Sequence, residues 1–261
     1  MTARQIARDL YWLPLGRGMR AVNVYLAGTP ETWCLIDAGW PGHGEDIRRA
    51  AAGLFGDDSR PGAVLLTHCH PDHAGAARAL ALGWGCDVRM HALDLPLADP
   101  DAAAVHDCGG PLDRRLVLPV LRLMGARRMR AALAKGSLGD VARELDPAAP
   151  LPGVPGWTLL HTPGHTPGHL ALLREADGVA VTGDALVTVG LNAPTDLVCP
   201  RPRLGYPPWI TTWDWTKAKA SAAAIARRRP AVVAAGHGVP MSGAVLTGHL
   251  DRFLRRGRVA P

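Results

Sequence analysis

Residues 9–37 carry their apolar positions in short runs, within LYWLPL, RAVNVYLAG and TWCLIDAG, punctuated by Gly16, Gly18 and Gly28-Thr29-Pro30. This pattern predicts strands joined by tight turns. A helix is expected over 44–54, then AVLLTH (63–68) as a buried strand, 72–83 as a helix and CDVRMH (86–91) as a further strand. From 92 to about 150 the pattern changes. Leu112, Leu116, Val120, Leu121 and Met124 recur at helical spacing, with Arg114, Arg115, Arg122, Arg127, Arg128 and Arg130 between or beyond them. This reads as a mostly helical insertion in one domain spanning 1–261. Strand patterns return at 157–162, 169–174 and 178–184. A Pro- and Trp-rich loop fills 192–213, and Asp214 is placed to cap a helix over 215–228. AVVAAGH (231–237) predicts a last strand and 244–256 a last helix. Strands and helix, a helical excursion, then strands and helix again suggest an α/β chain of two similar halves.

Composition narrows the class. The chain has 261 residues, 48% apolar and 20% charged, enough to bury a large core. No apolar run approaches the roughly 18 residues of a bilayer span. The N-terminal stretch lacks the apolar segment of a signal peptide, so a cytoplasmic location is expected. The net charge is +6, but lysine occurs only at 135, 217 and 219. With 30 Gly and 23 Pro, this arginine bias reads as a GC-rich coding preference rather than an anion-binding design. The cysteines at 34, 69, 86, 108 and 199 form no CxxC and are read as reduced thiols.

The histidines are not evenly spread. His68, His70, Asp72 and His73 place three imidazoles and a carboxylate within six residues, after an apolar strand and at the start of a helix. In extended backbone, positions i and i+2 point the same way, so His68 and His70 can share one ion. Pro71 suits a first helical turn, from which Asp72 and His73 can face a second ion. His165 lies in the turn TPGHTPGH, Asp184 ends GVAVTGD, and His237 ends AVVAAGH. Together these supply five imidazoles and two carboxylates, a set suited to two metal ions about 3.5–4 Å apart. Cys69 should point away from its histidine neighbours. His161 should do the same, and His43, His91, His106 and His249 carry no motif.

These segments resemble the five motifs of the metallo-β-lactamase superfamily, in family order: Asp37 in LIDAG, His68-x-His70-x-Asp72-His73, His165, Asp184 and His237. The resemblance implies a four-layer αββα sandwich with the site at one edge of two sheets. It implies His68, His70 and His165 on a first metal, Asp72, His73 and His237 on a second, and Asp184 bridging. Asp37 would support the site from behind, and His169 would hydrogen-bond beside it or pack.

An all-nitrogen-and-oxygen set suits Zn2+ first, with iron or manganese also compatible. A metal-bridging hydroxide would attack a carbonyl or phosphoryl centre, with Asp72 as the catalytic group that orients it and passes a proton to the leaving group. The expected activity is hydrolysis of a small ester, lactone or thioester, in the glyoxalase II and lactonase-like branch. Val187 stands where acyl-homoserine lactonases commonly carry Tyr, and little chain follows His237 to bind glutathione. The alternatives are a mononuclear-iron oxidoreductase like the persulfide dioxygenases, using His68, His165 and Asp184, and a β-lactam or phosphodiester hydrolase. The expected partner is a small molecule, not nucleic acid or a membrane, with a homodimer compatible. Tyr206, Trp209 and Trp213 either line an apolar substrate pocket or belong to the core. The insertion holds no motif residue and is expected to govern substrate choice rather than metal binding.

Overall fold

The computed structural model describes residues 2–146, 149–193, 195–196 and 200–257. Cys199 lies outside the described residues. The first sheet is built from β1 (Arg4–Ala7), β2 (Leu10–Leu15), β3 (Val22–Thr29), β4 (Thr32–Ile36), then β5 (Val64–Leu65) after helix α1 (Gly44–Phe55). Helices α2 (Pro71–Ala74) and α3 (Ala77–Trp84) lead to β6 (Val88–Met90). Helices α4 (Leu95–Ala98), α5 (Ala102–Cys108), α6 (Leu118–Leu123) and α7 (Ala126–Ala134) follow, and β7 (Ala142–Glu144) completes the sheet in the order β1 to β7. The second half brings β8 (Thr158–His161), β9 (Leu170–Arg174) and β10 (Val179–Gly183), then the pair β11 (Val187–Val189) and β12 (Pro202–Gly205). Helix α8 (Trp215–Arg227), β13 (Val232–Ala235), β14 (Met241–Ser242) and α9 (Gly243–Gly257) finish it. The second sheet runs β14-β13-β10-β9-β8, with β10 and β13 parallel.

Alternation along the strands creates the layers, because successive side chains leave opposite faces. Leu13, Val24, Leu26, Leu35, Val64 and Val88 pack outward against Ile47 and Phe55 of α1 and Leu80 of α3. Their neighbours Tyr25, Ala27, Cys34, Ile36 and Leu65 face inward and meet Leu170, Leu172, Val179, Val181 and Ala234 of the second sheet. The other face of that sheet, Ala171, Val233 and Ala235, is covered by Ala222 and Ile225 of α8 and Leu246, Leu250 and Phe253 of α9. The result is the four-layer αββα sandwich.

Several boundaries depart from the pattern. The first strand begins at Arg4, ahead of LYWLPL, and pairs antiparallel with β2. The helix expected over 72–83 divides at Gly75 and Ala76, where Ala76 leaves helical geometry at φ −97° and ψ −1°. Gly75 packs so closely on Pro41 that a Cβ there would lie 2.5 Å from Pro41 Cδ. Within the expected helical insertion, Ala142–Glu144 pairs parallel with β6 and extends the sheet. The proline-rich loop likewise contributes β12. Such short edge strands lack the length that periodicity needs. Among the described residues no helix is long and apolar enough to cross a membrane.

Candidate metal centre

Strand ends deliver the candidate ligands. β5 leads into Thr67 and His68, while His70 sits at the N-cap of α2, with Asp72 and His73 in its first turn. The turn between β8 and β9 supplies His165, the end of β10 supplies Asp184, and the end of β13 supplies His237. At Gly183 the backbone takes φ +46°, and a Cβ would meet Thr67 Oγ1 at 2.6 Å and His169 Nε2 at 2.8 Å. Glycine is therefore required for Asp184 to leave the sheet at this point.

The seven residues converge. Candidate ligand atoms cluster as His68, His70 and His165; as His68, His73 and Asp184; and as Asp72, His73 and His237, each within 4.8 Å of one another. His70 Nδ1 faces His165 Nε2 at 2.9 Å. Asp184 Oδ1 lies 3.5 Å from His73 Nε2, and its Oδ2 lies 3.3 Å from His165 Nε2 and 3.4 Å from His237 Nε2. Asp72 Oδ2 lies 3.3 Å from His237 Nε2. One carboxylate, Asp184, thus touches residues of both halves of the cluster.

Hydrogen bonds behind the cluster fix which ring nitrogen carries a proton. His73 Nδ1 donates to Asp37 Oδ2 at 2.9 Å, leaving Nε2 facing inward. The Thr67 hydroxyl is within 2.8 Å of Asp37 Oδ2 and donates there, so it accepts from His68 Nδ1 at 3.1 Å. Asp37 Oδ1 also takes the Thr67 backbone N–H at 2.8 Å. The Thr212 hydroxyl donates to Pro208 O at 2.7 Å and accepts from His165 Nδ1 at 3.1 Å. His237 Nδ1 donates to Ala21 O at 2.8 Å. In each case the other nitrogen faces the interior. Asp37 holds this post with φ 60°, a left-handed conformation that Asp tolerates better than most residues.

Electrostatics divides the rings. Burial depresses His68 well below its usual pKa, and the neighbouring His73 and His165 add to this. Burial, then His165, pushes His70 down to about 3. Burial also opposes charge on His73, but Asp184, Asp72 and Asp37 outweigh it and hold the ring at about 9. His237 is raised by the same contest, with Asp184 the chief carboxylate. Burial works against the Asp184 anion, yet His237 and His73 hold its carboxyl well below the usual range.

His169 stands beside the cluster. Its Nε2 accepts the Asp184 backbone N–H at 3.0 Å and its Nδ1 meets Thr162 Oγ1 at 2.8 Å. His161 turns to Pro167 O at 2.9 Å and stacks on His91. Cys69 points away, into the packing around the first sheet. Of the aromatic loop residues, Tyr206 packs on Trp215 and Phe253, which places it in the helix packing and not at the cluster. Trp209 is 51% exposed. Trp213 donates its backbone N–H to His165 O at 3.0 Å, and its ring lies under Lys217. Thr67, Thr212 and Ala21 were not anticipated; a lone Thr or a backbone carbonyl carries no motif.

Known proteins are similar to this chain over most of its length. The profile described as the metallo-beta-lactamase superfamily matches residues 17–237. A probable metallo-hydrolase of Bacillus subtilis, YflN, is 29% identical over 249 residues, covering 92% of this chain and 89% of its own. The hydroxyacylglutathione hydrolase of Xanthomonas euvesicatoria pv. vesicatoria is 30% identical over 166 residues, 60% of this chain and 47% of its own. Among solved structures, the protein TTHA1623 in a di-iron-bound form is 28% identical, with a TM-score of 0.55, covering 88% of this chain and 94% of that one. The chain belongs to the metallo-beta-lactamase superfamily and is one of its metallohydrolases.

Proposed function

We propose that the chain is a dinuclear metal-dependent hydrolase of small esters, lactones or thioesters, with zinc as the first candidate ion. One observation carries this reading. His68 Nε2, His73 Nε2 and Asp184 Oδ1 are buried, point into one cluster and make no hydrogen bond among the described residues, the last two facing each other at 3.5 Å. Leaving such atoms unpaired costs about 1–3 kcal/mol each, a cost that cation binding removes. His68, His70 and His165 would hold one ion, Asp72, His73 and His237 the other, with Asp184 shared. Ions bound there supply Lewis acidity and a water that ionises near neutral pH.

The chain's own groups do the rest. Asp37 and Thr67 hold His73 and His68 in the ligating tautomer, and Thr212 does so for His165. His73 and His237 keep Asp72 ionised against its burial, so it can accept a proton and pass it to a leaving group. Its side chain is 21% exposed, more open than Asp184, and so the better placed to meet a substrate. The match to hydroxyacylglutathione hydrolases, enzymes named for a thioester substrate, supports thioesters first.

Elemental analysis of purified protein, followed by hydrolysis assays on the same sample, tests the reading. The assays span thioesters, lactones, esters, β-lactams and phosphodiesters. The expected result is about two ions per chain and chelator-sensitive cleavage of an acyl substrate. A fully loaded protein with one iron and oxygen uptake on a persulfide would overturn it.

A further inference from the structure

Asp94 is completely buried, yet it belongs to the first turn of the segment that follows β6. Its Oδ2 accepts from Thr166 Oγ1 at 2.7 Å and from the Cys69 backbone N–H at 3.3 Å. Its Oδ1 accepts from the Gly168 backbone N–H at 2.6 Å. The donors are not scattered. Cys69 lies between His68 and His70, Thr166 follows His165, and Gly168 precedes His169. One carboxylate therefore joins the two loops that carry the first cluster of candidate ligands.

We propose that Asp94 is a positioning residue for the metal ion held by His68, His70 and His165. It sets the separation of the two loops and places a fixed negative charge behind them. Donors reach both oxygens, two of them backbone N–H groups, so the site takes a carboxylate, because an amide would set its NH2 against one of these donors. A buried anion is costly unless a cation sits near. A divalent ion among these three histidines supplies that cation. Such a role runs against the expectation that the insertion from 92 onward governs substrate choice rather than metal binding. Its entry turn reaches the centre, although it offers no ligand.

The inference rests on the reading of the cluster as a metal centre, and the test separates the two. Wild-type protein, Asp94→Asn, Thr166→Val and Thr166→Ser are stripped of metal and titrated with Zn2+ against a chromophoric chelator. Co2+ alone is then added to record its visible absorption bands. Wild type should take two ions. Asp94→Asn should weaken one of them by about 10- to 100-fold and alter the Co2+ bands, while the other ion keeps its affinity. Thr166→Val should weaken the same ion by a smaller factor, and Thr166→Ser, which keeps the donor, should match wild type. If Asp94→Asn does not fold, the Thr166 pair decides. Unchanged affinities in the variants, or an equal loss at both ions, overturn the inference. A wild type that takes up no ion overturns the metal-centre reading itself.

Discussion

His169 holds Asp184 by the main chain: its Nε2 accepts the Asp184 N–H at 3.0 Å, while Asp184 presents both carboxylate oxygens to the histidines around it. The ring acts on the backbone and leaves the side chain free. His169→Leu should strand the buried Asp184 N–H, at a cost of about 1–3 kcal/mol, while the Thr162 hydroxyl keeps the residue 169 carbonyl as its acceptor. Thermal unfolding of the metal-free protein should show this loss. Chelator competition should also show weaker binding of both ions, because Asp184 touches both groups. Unaltered affinities would mean that Asp184 needs no such support.

Asp184→Asn conserves shape but removes the charge that balances His73 and His237. Hydrolysis should fall by roughly two orders of magnitude or more, in line with the several kcal/mol a metal centre contributes. Metal content, kcat and thermal unfolding measured on one preparation would show whether the fold persists. Retention of two ions and near-full activity would show that Asp184 does not bridge.

Metal uptake should release protons. In the metal-free protein Asp184, Asp72 and Asp37 overcome burial and hold His73 at about 9, and His237 is raised as well. His73 is therefore charged at pH 7, with its ion-facing nitrogen protonated. Binding should displace at least one proton per chain, read by calorimetry in buffers of different ionisation enthalpy. The raised pKa values also stabilise the metal-free fold below about 6.5, the unfolded value. That contribution should be lost as pH rises through about 9 for His73. Metal affinity should rise over the same window. Identical heats in all buffers would contradict the assignment.

Asp214 tests the start of α8, next to the His165 turn. Its side chain accepts the Lys217 N–H at 3.0 Å and caps α8. Asp214→Ala should cost about 1 kcal/mol, lowering Tm by about 2–4 °C, with metal stoichiometry unchanged. A drop in metal content would show that the cap also braces the His165 turn, to which the Asp214 N–H is bonded at 2.8 Å through Gly164 O.

What was legible in the sequence was local. Three imidazoles and a carboxylate from 68 to 73 are a matter of spacing, as is the capping Asp214 ahead of its helix. The long apolar strands showed their alternation, and with it the layers. The partners in the supporting contacts were not legible, because they join residues far apart in sequence; Asp37 and His169 were expected beside the site only through the family resemblance. Asp37 meets Thr67 across 30 positions, Thr212 meets His165 across 47, and Asp94 meets Gly168 across 74. Short strands such as Ala142–Glu144 exist because β6 offers them an edge, so nothing in their own residues announces them. Tyr206 illustrates the reverse problem: an aromatic in a loop reads alike whether it lines a pocket or, as here, packs on Trp215 and Phe253.

Asn23 reaches across almost the whole chain, donating from Nδ2 to Ala235 O at 2.9 Å and Gly238 O at 2.6 Å, beside Tyr25 Oη bonded to the same Ala235 carbonyl at 2.7 Å. His237 is held between these contacts. Closing so long a loop is entropically slow. During synthesis, His68, His70 and His165 are all available before the residues around 235 have been made. Order of synthesis therefore separates the two halves of the centre: the histidines of the first can meet while the chain is still growing, whereas the second lacks His237 until the segment around 235 has been made.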